Sequence, residues 1–234
     1  MTFPHKRMDK EIFIVRLNPV CWLTLAGLAI DLSAVFLFID LPRLEAGSSF
    51  QPRGNEGDAS PRFFLAIGLM YLGMLTDAFD GILARRYRLD GEFGRYLDGF
   101  VDVFNYLILP NLALWRLGFH GPYAAIIMLI LVGAGILRLS KFNQIGNIQV
   151  EGSSKFLGLP VFWTQLALAP LYLMFAFLPA SVFHLGAGTL WIAMSFAFLY
   201  NRPFFKPKNP WLIAGITLSL SALGFAGYAL GLHP

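Results

Sequence analysis

Apolar runs about as long as a bilayer is thick alternate with short polar connections along this chain. A helix needs about 20 such residues to cross ~30 Å of hydrocarbon. Seven stretches qualify: 20–39, 63–85, 96–117, 123–139, 159–177, 183–200 and 211–230. Each is expected to be a helix, because an open strand edge in lipid leaves backbone groups unpaired. Pro170 interrupts the fifth stretch, and the last two contain several glycines. Asn18-Pro19 reads as the start of the first helix. The segment 45–61 (EAGSSFQPRGNEGDASP) is polar and rich in Gly, Pro and Ser, so it reads as a mobile connection. No internal repeat or low-complexity tract stands out. The pattern predicts an all-α, polytopic membrane bundle of six to eight transmembrane helices, forming one domain over residues 1–234.

Composition narrows this picture. The 234 residues are 56% hydrophobic and only 14% charged, against a usual ~25% charged. So few charges cannot cover a water-soluble domain of this size. A single cysteine, Cys21, excludes an intrachain disulfide and a cysteine-based zinc cluster. It reads as an ordinary apolar residue at a helix start. The opening MTFPHKRMDKEIFIVR resembles a signal peptide only superficially, since the apolar stretch after it is long and no small-residue cleavage site is evident. Residues 1–17 read instead as a helix lying at the membrane interface, with 18–234 forming the bundle.

The net charge of +4 is explained without nucleic acid once the loops are sorted by side. With the N-terminus cytoplasmic, one side holds Lys6, Arg7, Lys10, Arg16, Arg85, Arg86, Arg88, Arg95, Arg138, Lys141, Lys155, Arg202, Lys206 and Lys208. The other holds Arg43, Arg53, Arg62 and Arg116. Cytoplasmic loops carry the basic excess, so the chain is expected in the cytoplasmic (inner) membrane with its N-terminus inside. The basic stretch 202–208 (RPFFKPK) would touch anionic headgroups.

Four aspartates break the apolar pattern. Asp77 and Asp80 are three apart, and Asp98 and Asp102 are four apart; either spacing puts the pair on one helix face. A short cytoplasmic hairpin between the second and third stretches brings the pairs together. Each aspartate at a helix centre costs ~2.5–3.5 kcal/mol, and four facing carboxylates need either protons or cations between them. Oxygen donors without His or Cys suit Mg2+ or Mn2+, and two such ions form an arrangement used in phosphoryl chemistry. Gly81, Ala84 and Gly94 leave room beside the backbone for a flat ligand or for close helix packing, and Arg85 can pair with a phosphate. A divalent-cation transporter would use the aspartates alone and would have no need of such room beside them.

The string 77–102 (DAFDGILARRYRLDGEFGRYLDGFVD) resembles the signature of the CDP-alcohol phosphatidyltransferase family, D-x2-D-G-x2-A-R-x8-G-x3-D-x3-D. All eight fixed positions match: Asp77, Asp80, Gly81, Ala84, Arg85, Gly94, Asp98 and Asp102. The resemblance implies an enzyme of phospholipid synthesis that takes CDP-diacylglycerol, moves its phosphatidyl group to a small alcohol and releases CMP. It further implies two Mg2+ or Mn2+ ions, one on Asp77, Asp80 and Asp98, the other on Asp77, Asp98 and Asp102. Asp102 would also be the general base. Gly81, Ala84 and Gly94 would shape the cytidine slot and Arg85 would steady a phosphate. A homodimer among membrane lipids is implied as well.

A second segment bears on the acceptor. Residues 136–143 (ILRLSKFN) and 152–160 (GSSKFLGLP) are similar to the branch of that family that uses serine, at Arg138, Leu139, Lys141, Phe142, Asn143, Gly158, Leu159 and Pro160. Arg138, Lys141 and Asn143 are therefore the candidate acceptor-binding residues. A guanidinium can hold a carboxylate or a phosphate, or merely anchor the helix end at the membrane surface. Inositol phosphate, glycerol phosphate and choline stay open as other acceptors. Asp31, mid-span in the first helix, faces either a polar cavity or another helix. His5, His120, His184 and His233 show no ligand spacing and read as surface residues. The aromatic residues read as lipid-facing filler and interface anchors.

Overall fold

The computed structural model describes residues 17–41, 59–89, 91–146, 148–150, 153–204 and 210–230. The interfacial segment 1–17 falls almost wholly outside them, as do most of the 45–61 connection and part of the basic 202–208 stretch. Among the described residues the chain forms seven helices: α1 (Pro19–Asp40), α2 (Ala59–Tyr87), α3 (Glu92–Arg116), α4 (Pro122–Ile145), α5 (Trp163–Phe177), α6 (Ala180–Leu199) and α7 (Pro210–Ala229). All but α5 are long and apolar enough to cross a membrane. The chain is an all-α membrane helix bundle, as the apolar pattern predicts.

The helix ends show where local chemistry overrode that pattern. At the start of α1, Asn18 Oδ1 accepts the Cys21 amide at 2.9 Å and Pro19 opens the first turn, the N-cap arrangement that the sequence suggests. Helix α4 continues to Ile145, past the apolar limit at 139, because backbone bonding persists where the side chains turn polar. Helix α5 begins at Trp163 and not at 159. Gly158, at φ +78°, gives its amide to Arg202 O at 2.8 Å, and the Leu159 amide goes to Ala197 O at 3.0 Å. With those donors engaged and Pro160 lacking one, residues 159–162 stay a loop. Pro170 lies inside α5 without ending it, which neighbouring helices permit in a membrane. Two features have no sequence precedent here. A π-helical turn, Val103–Ile108, interrupts α3. A small antiparallel sheet joins β1 (Ile148–Val150), β2 (Ser153–Leu157) and β3 (Pro203–Phe204).

Helix α2 is flanked by α1 and α7 along its length, α4 pairs with α6, and α3 touches α1, α2, α4 and α5. Small residues let backbones meet without side chains between them. A Cβ on Gly224 of α7 would lie 2.6 Å from the Gly68 backbone of α2, and Ser221 Oγ donates to Gly68 O at 2.9 Å. The aromatic residues serve two ends: Trp22, Phe36, Phe100, Phe177 and Phe196 are exposed on the outer surface, as the sequence suggests, and others fill the interior. Phe38, Phe63, Phe119, Phe183 and Trp191 are fully buried between helices, and Trp191 Nε1 donates to Asn111 Oδ1 at 2.7 Å. A bundle of this size has its own core, which large rings fill best.

The turn from α2 to α3 brings the acidic residues together. The Leu89 amide returns to Ala84 O at 2.9 Å, with Arg88 in the left-handed region at φ +55°, the usual geometry of a helix stop. Asn18 Nδ2 clamps Leu89 O at 3.4 Å, so the start of α1 lies at this same end. At the far end Arg116 caps α1, donating to Leu41 O and Ile39 O.

Candidate active site

Asp77 and Asp80 stand in the last turns of α2, and Asp98 and Asp102 in the first turns of α3. The helices run antiparallel, so the two pairs face each other. One carboxylate oxygen from each of Asp77, Asp98 and Asp102 lies within 4.8 Å of the others, with all three residues half-buried. Asp80 is buried and lies outside this trio; its Oδ2 accepts the Thr24 hydroxyl of α1 at 2.6 Å. Asp77 Oδ2 accepts the Tyr106 hydroxyl at 2.6 Å, while Asp77 Oδ1 is buried without a partner among the described residues. An all-oxygen donor set with an unpartnered carboxylate oxygen fits a hard divalent cation.

Two cavities border this cluster. The larger, about 390 Å³, is lined by Asp80 and Asp98 together with Gly81, Ala84, Arg85 and Gly94. It contains every residue that the signature assigns to the CDP-lipid. A Cβ on Gly94 would meet only Cys21 Sγ, at 3.9 Å, so the missing side chain leaves open space and not a tight helix contact. The smaller, about 110 Å³, is lined by Asp77, Asp102, Tyr106 and Arg138 with Phe142, Phe156, Phe162 and the 159–162 loop. Phe142 borders both.

The three acceptor candidates part company. Arg138 is buried, donates Nε to Leu159 O at 3.2 Å and lies over the Phe142 ring at 5.6 Å, at the wall of the smaller cavity. Lys141 is on the exposed face of α4 and donates to Asn201 Oδ1 at 3.0 Å. Asn143 packs its amide against Gly99 of α3. Neither lines either of these two cavities. Asp31 is fully buried with its carboxylate against Gly73 of α2, one turn before Asp77; among the described residues both its oxygens lack a hydrogen-bond partner. His184 pairs with the Tyr123 hydroxyl at 2.5 Å.

Sequence reasoning passed over Tyr106 and Thr24. Tyr106 had a signal, since it continues the face of Asp98 and Asp102 at the next four-residue step. Thr24 had none, because its partner lies on another helix 56 residues away.

Similarity to known proteins agrees with this geometry. The model of the CDP-alcohol phosphatidyltransferase family matches residues 18–199. A CDP-diacylglycerol–serine O-phosphatidyltransferase of Bacillus subtilis (strain 168) is 31% identical over 146 residues, 60% of this chain and 76% of that protein. One of Methanocaldococcus jannaschii is 29% identical over 166 residues, 70% of this chain and 77% of that protein. A phosphatidylcholine synthase of Rhizobium meliloti is 27% identical over 195 residues, 80% of this chain and 76% of that protein. With a matching family model over most of its length and the signature aspartates gathered at one end of a membrane bundle, the chain belongs to the CDP-alcohol phosphatidyltransferase family.

Proposed function

We propose that this enzyme transfers the phosphatidyl group of CDP-diacylglycerol to the hydroxyl of L-serine, giving phosphatidylserine and CMP. The observation that carries the reading is the pair of cavities bordering one acidic cluster. The larger has the glycines and the arginine suited to a nucleotide diphosphate, and the smaller has room for an acceptor of few atoms, well below the ~300–1,000 Å³ of drug-sized pockets.

In this reading Asp77, Asp80 and Asp98 hold one Mg2+ or Mn2+, and Asp77, Asp98 and Asp102 a second. Bound there, the ions neutralise the diphosphate and the departing CMP. Arg85 steadies a phosphate from the rim of the larger cavity. Arg138 binds the serine carboxylate and turns the hydroxyl toward Asp102. Asp102 takes the hydroxyl proton as the serine oxygen bonds to the phosphatidyl phosphorus; the bond from that phosphorus to the CMP oxygen breaks, and CMP leaves with the electron pair. Arg85, Arg86, Arg88, Arg95, Arg138, Lys141, Lys155 and Arg202 all belong to the helix ends and connections on the aspartate side, with Arg62 and Arg116 at the other end. That asymmetry supports a site facing the cytoplasm from the inner membrane, with the N-terminus inside. We include a homodimer in the proposal, checked by the mass of the detergent-solubilised enzyme.

A second acceptor has its own support. Tyr106, Phe142, Phe156 and Phe162 put four rings in the smaller cavity, and aromatic surfaces recognise quaternary ammonium groups. Similarity to a phosphatidylcholine synthase covers 80% of the chain. Choline is thus the alternative to serine. Purified enzyme with CDP-diacylglycerol, Mn2+ and serine, choline, glycerol phosphate or inositol phosphate in turn decides between them, with the lipid product read by mass spectrometry. Phosphatidylserine as the main product is expected. Phosphatidylcholine alone would overturn serine, and no CMP release with any alcohol would overturn the transferase reading.

A further inference from the structure

We propose that Tyr106 is a positioning residue for the divalent-cation site, its hydroxyl fixing Asp77 so that the other carboxylate oxygen is presented to the ion. The inference rests on the metal-dependent reading above. Tyr106 is 3% exposed, so its hydroxyl has little water to turn to. Its donor reaches Asp77 Oδ2 at 2.6 Å. The oxygen left over, Oδ1, is buried and unpartnered, and Asp77 belongs to the trio of carboxylates gathered within 4.8 Å. A carboxylate held by neither oxygen can rotate its ligand atom out of the cluster. A charge-assisted bond to one oxygen removes that freedom and leaves the second for coordination.

Tyr106 is itself fixed from two directions. It stands four residues beyond Asp102, inside the π-helical turn Val103–Ile108, a distortion often found at functional sites. Its carbonyl accepts the Thr164 hydroxyl of α5. The turn therefore ties the ligand-bearing parts of α2 and α3 to α5, next to the 159–162 loop that walls the smaller cavity. A tyrosine placed only to fill the core would need its ring and not its hydroxyl.

The test compares Tyr106→Phe with Tyr71→Phe in the full chain, purified in detergent. Tyr71 is equally buried and donates to Gln165 O at 2.9 Å, so its variant also loses one buried hydrogen bond while lying outside the acidic cluster. Mn2+ binding is followed without lipid substrate through the electron paramagnetic resonance signal of the free ion. Tyr106→Phe should bind Mn2+ about 10–100-fold more weakly, the usual effect of losing such a partner. Tyr71→Phe should bind as the wild type does. In activity assays the Mn2+ concentration for half-maximal rate should rise by the same factor in Tyr106→Phe, while the KM for CDP-diacylglycerol at saturating Mn2+ stays within about threefold of wild type. Wild-type Mn2+ affinity in Tyr106→Phe would reduce Tyr106 to a core residue and overturn the inference alone. Equal weakening in Tyr71→Phe would do the same, by assigning the effect to general loosening. No Mn2+ binding by the wild type would remove the metal reading itself.

Discussion

Replacing Asp98 by asparagine should make the ion-free protein more stable while abolishing its activity. Asp98 shares the 4.8 Å cluster with Asp77 and Asp102. At that separation and an effective dielectric constant near 20, each pair of carboxylate charges repels by about 3.5 kcal/mol. Asparagine keeps the shape and removes both pairings that involve residue 98, a ceiling of about 7 kcal/mol. Proton uptake by the crowded carboxyls, side-chain relaxation and water in the two bordering cavities all reduce this, so we expect a gain of about 2 kcal/mol, or roughly 4–8 °C in Tm for a chain of this length. Mn2+ should reverse the order. An ion at a hundred times its Kd adds about 2.7 kcal/mol to the protein that binds it, and only the wild type has the full ligand set. The assay is thermal unfolding in detergent with EDTA and again with excess Mn2+, beside CMP release at each condition. An Asp98→Asn variant no more stable than wild type in EDTA would refute the claim that these carboxylates oppose one another in the free protein. A wild type insensitive to Mn2+ would refute the ion.

Three further substitutions probe the supports of the site. Thr24→Val removes the hydroxyl bonded to Asp80 at 2.6 Å while keeping its volume; the Mn2+ requirement for activity should rise by about tenfold, and an unchanged Mn2+ titration would show that Asp80 needs no such partner. Gly158→Ala meets both a φ of +78° and carbonyl oxygens of Phe198 and Tyr200 at 2.9 and 3.0 Å from the new Cβ. It should cost about 1–3 kcal/mol and raise the KM for the acceptor more than that for CDP-diacylglycerol, because the adjoining loop walls only the smaller cavity. Gly224→Ala pushes α7 off α2 where their backbones meet; a loss of about 1–3 kcal/mol in thermal unfolding is expected with unaltered kinetics of the surviving enzyme.

Much of the fold was legible because a bilayer imposes one simple demand. Any stretch crossing hydrocarbon must be apolar and must satisfy its own backbone, so the seven apolar runs each locate a helix. What escaped was decided by partners distant in sequence. The loop at 159–162 reads as the start of a span until the amides of Gly158 and Leu159 are found bonded to Arg202 O after α6 and to Ala197 O at its end. The small sheet depends likewise on β3 returning about 50 residues after β2. The π-turn leaves no mark in the residue pattern of 103–108, since its six residues suit an ordinary apolar helix.

The site divides along the same line. Asp77, Asp80, Asp98 and Asp102 could be grouped from sequence because each pair is local and one short turn joins them. Arg138 and Lys141 could not be told apart. They are three residues apart on one helix, which separates their directions by only about 60°, and both are cations at the same membrane edge. Packing decides between them. Leu159 O and the Phe142 ring hold the guanidinium inside, beside Asp77 and Asp102, while Asn201 takes the ammonium on the outer side. A charge-only role at position 138 would survive substitution by lysine. A role that needs the planar fork, braced by one nitrogen and free to bind an acceptor with the others, would not. Arg138→Lys should therefore fold and bind Mn2+ as the wild type does yet lose most of its serine affinity. Full retention of that affinity would return Arg138 to the status of a membrane-edge anchor.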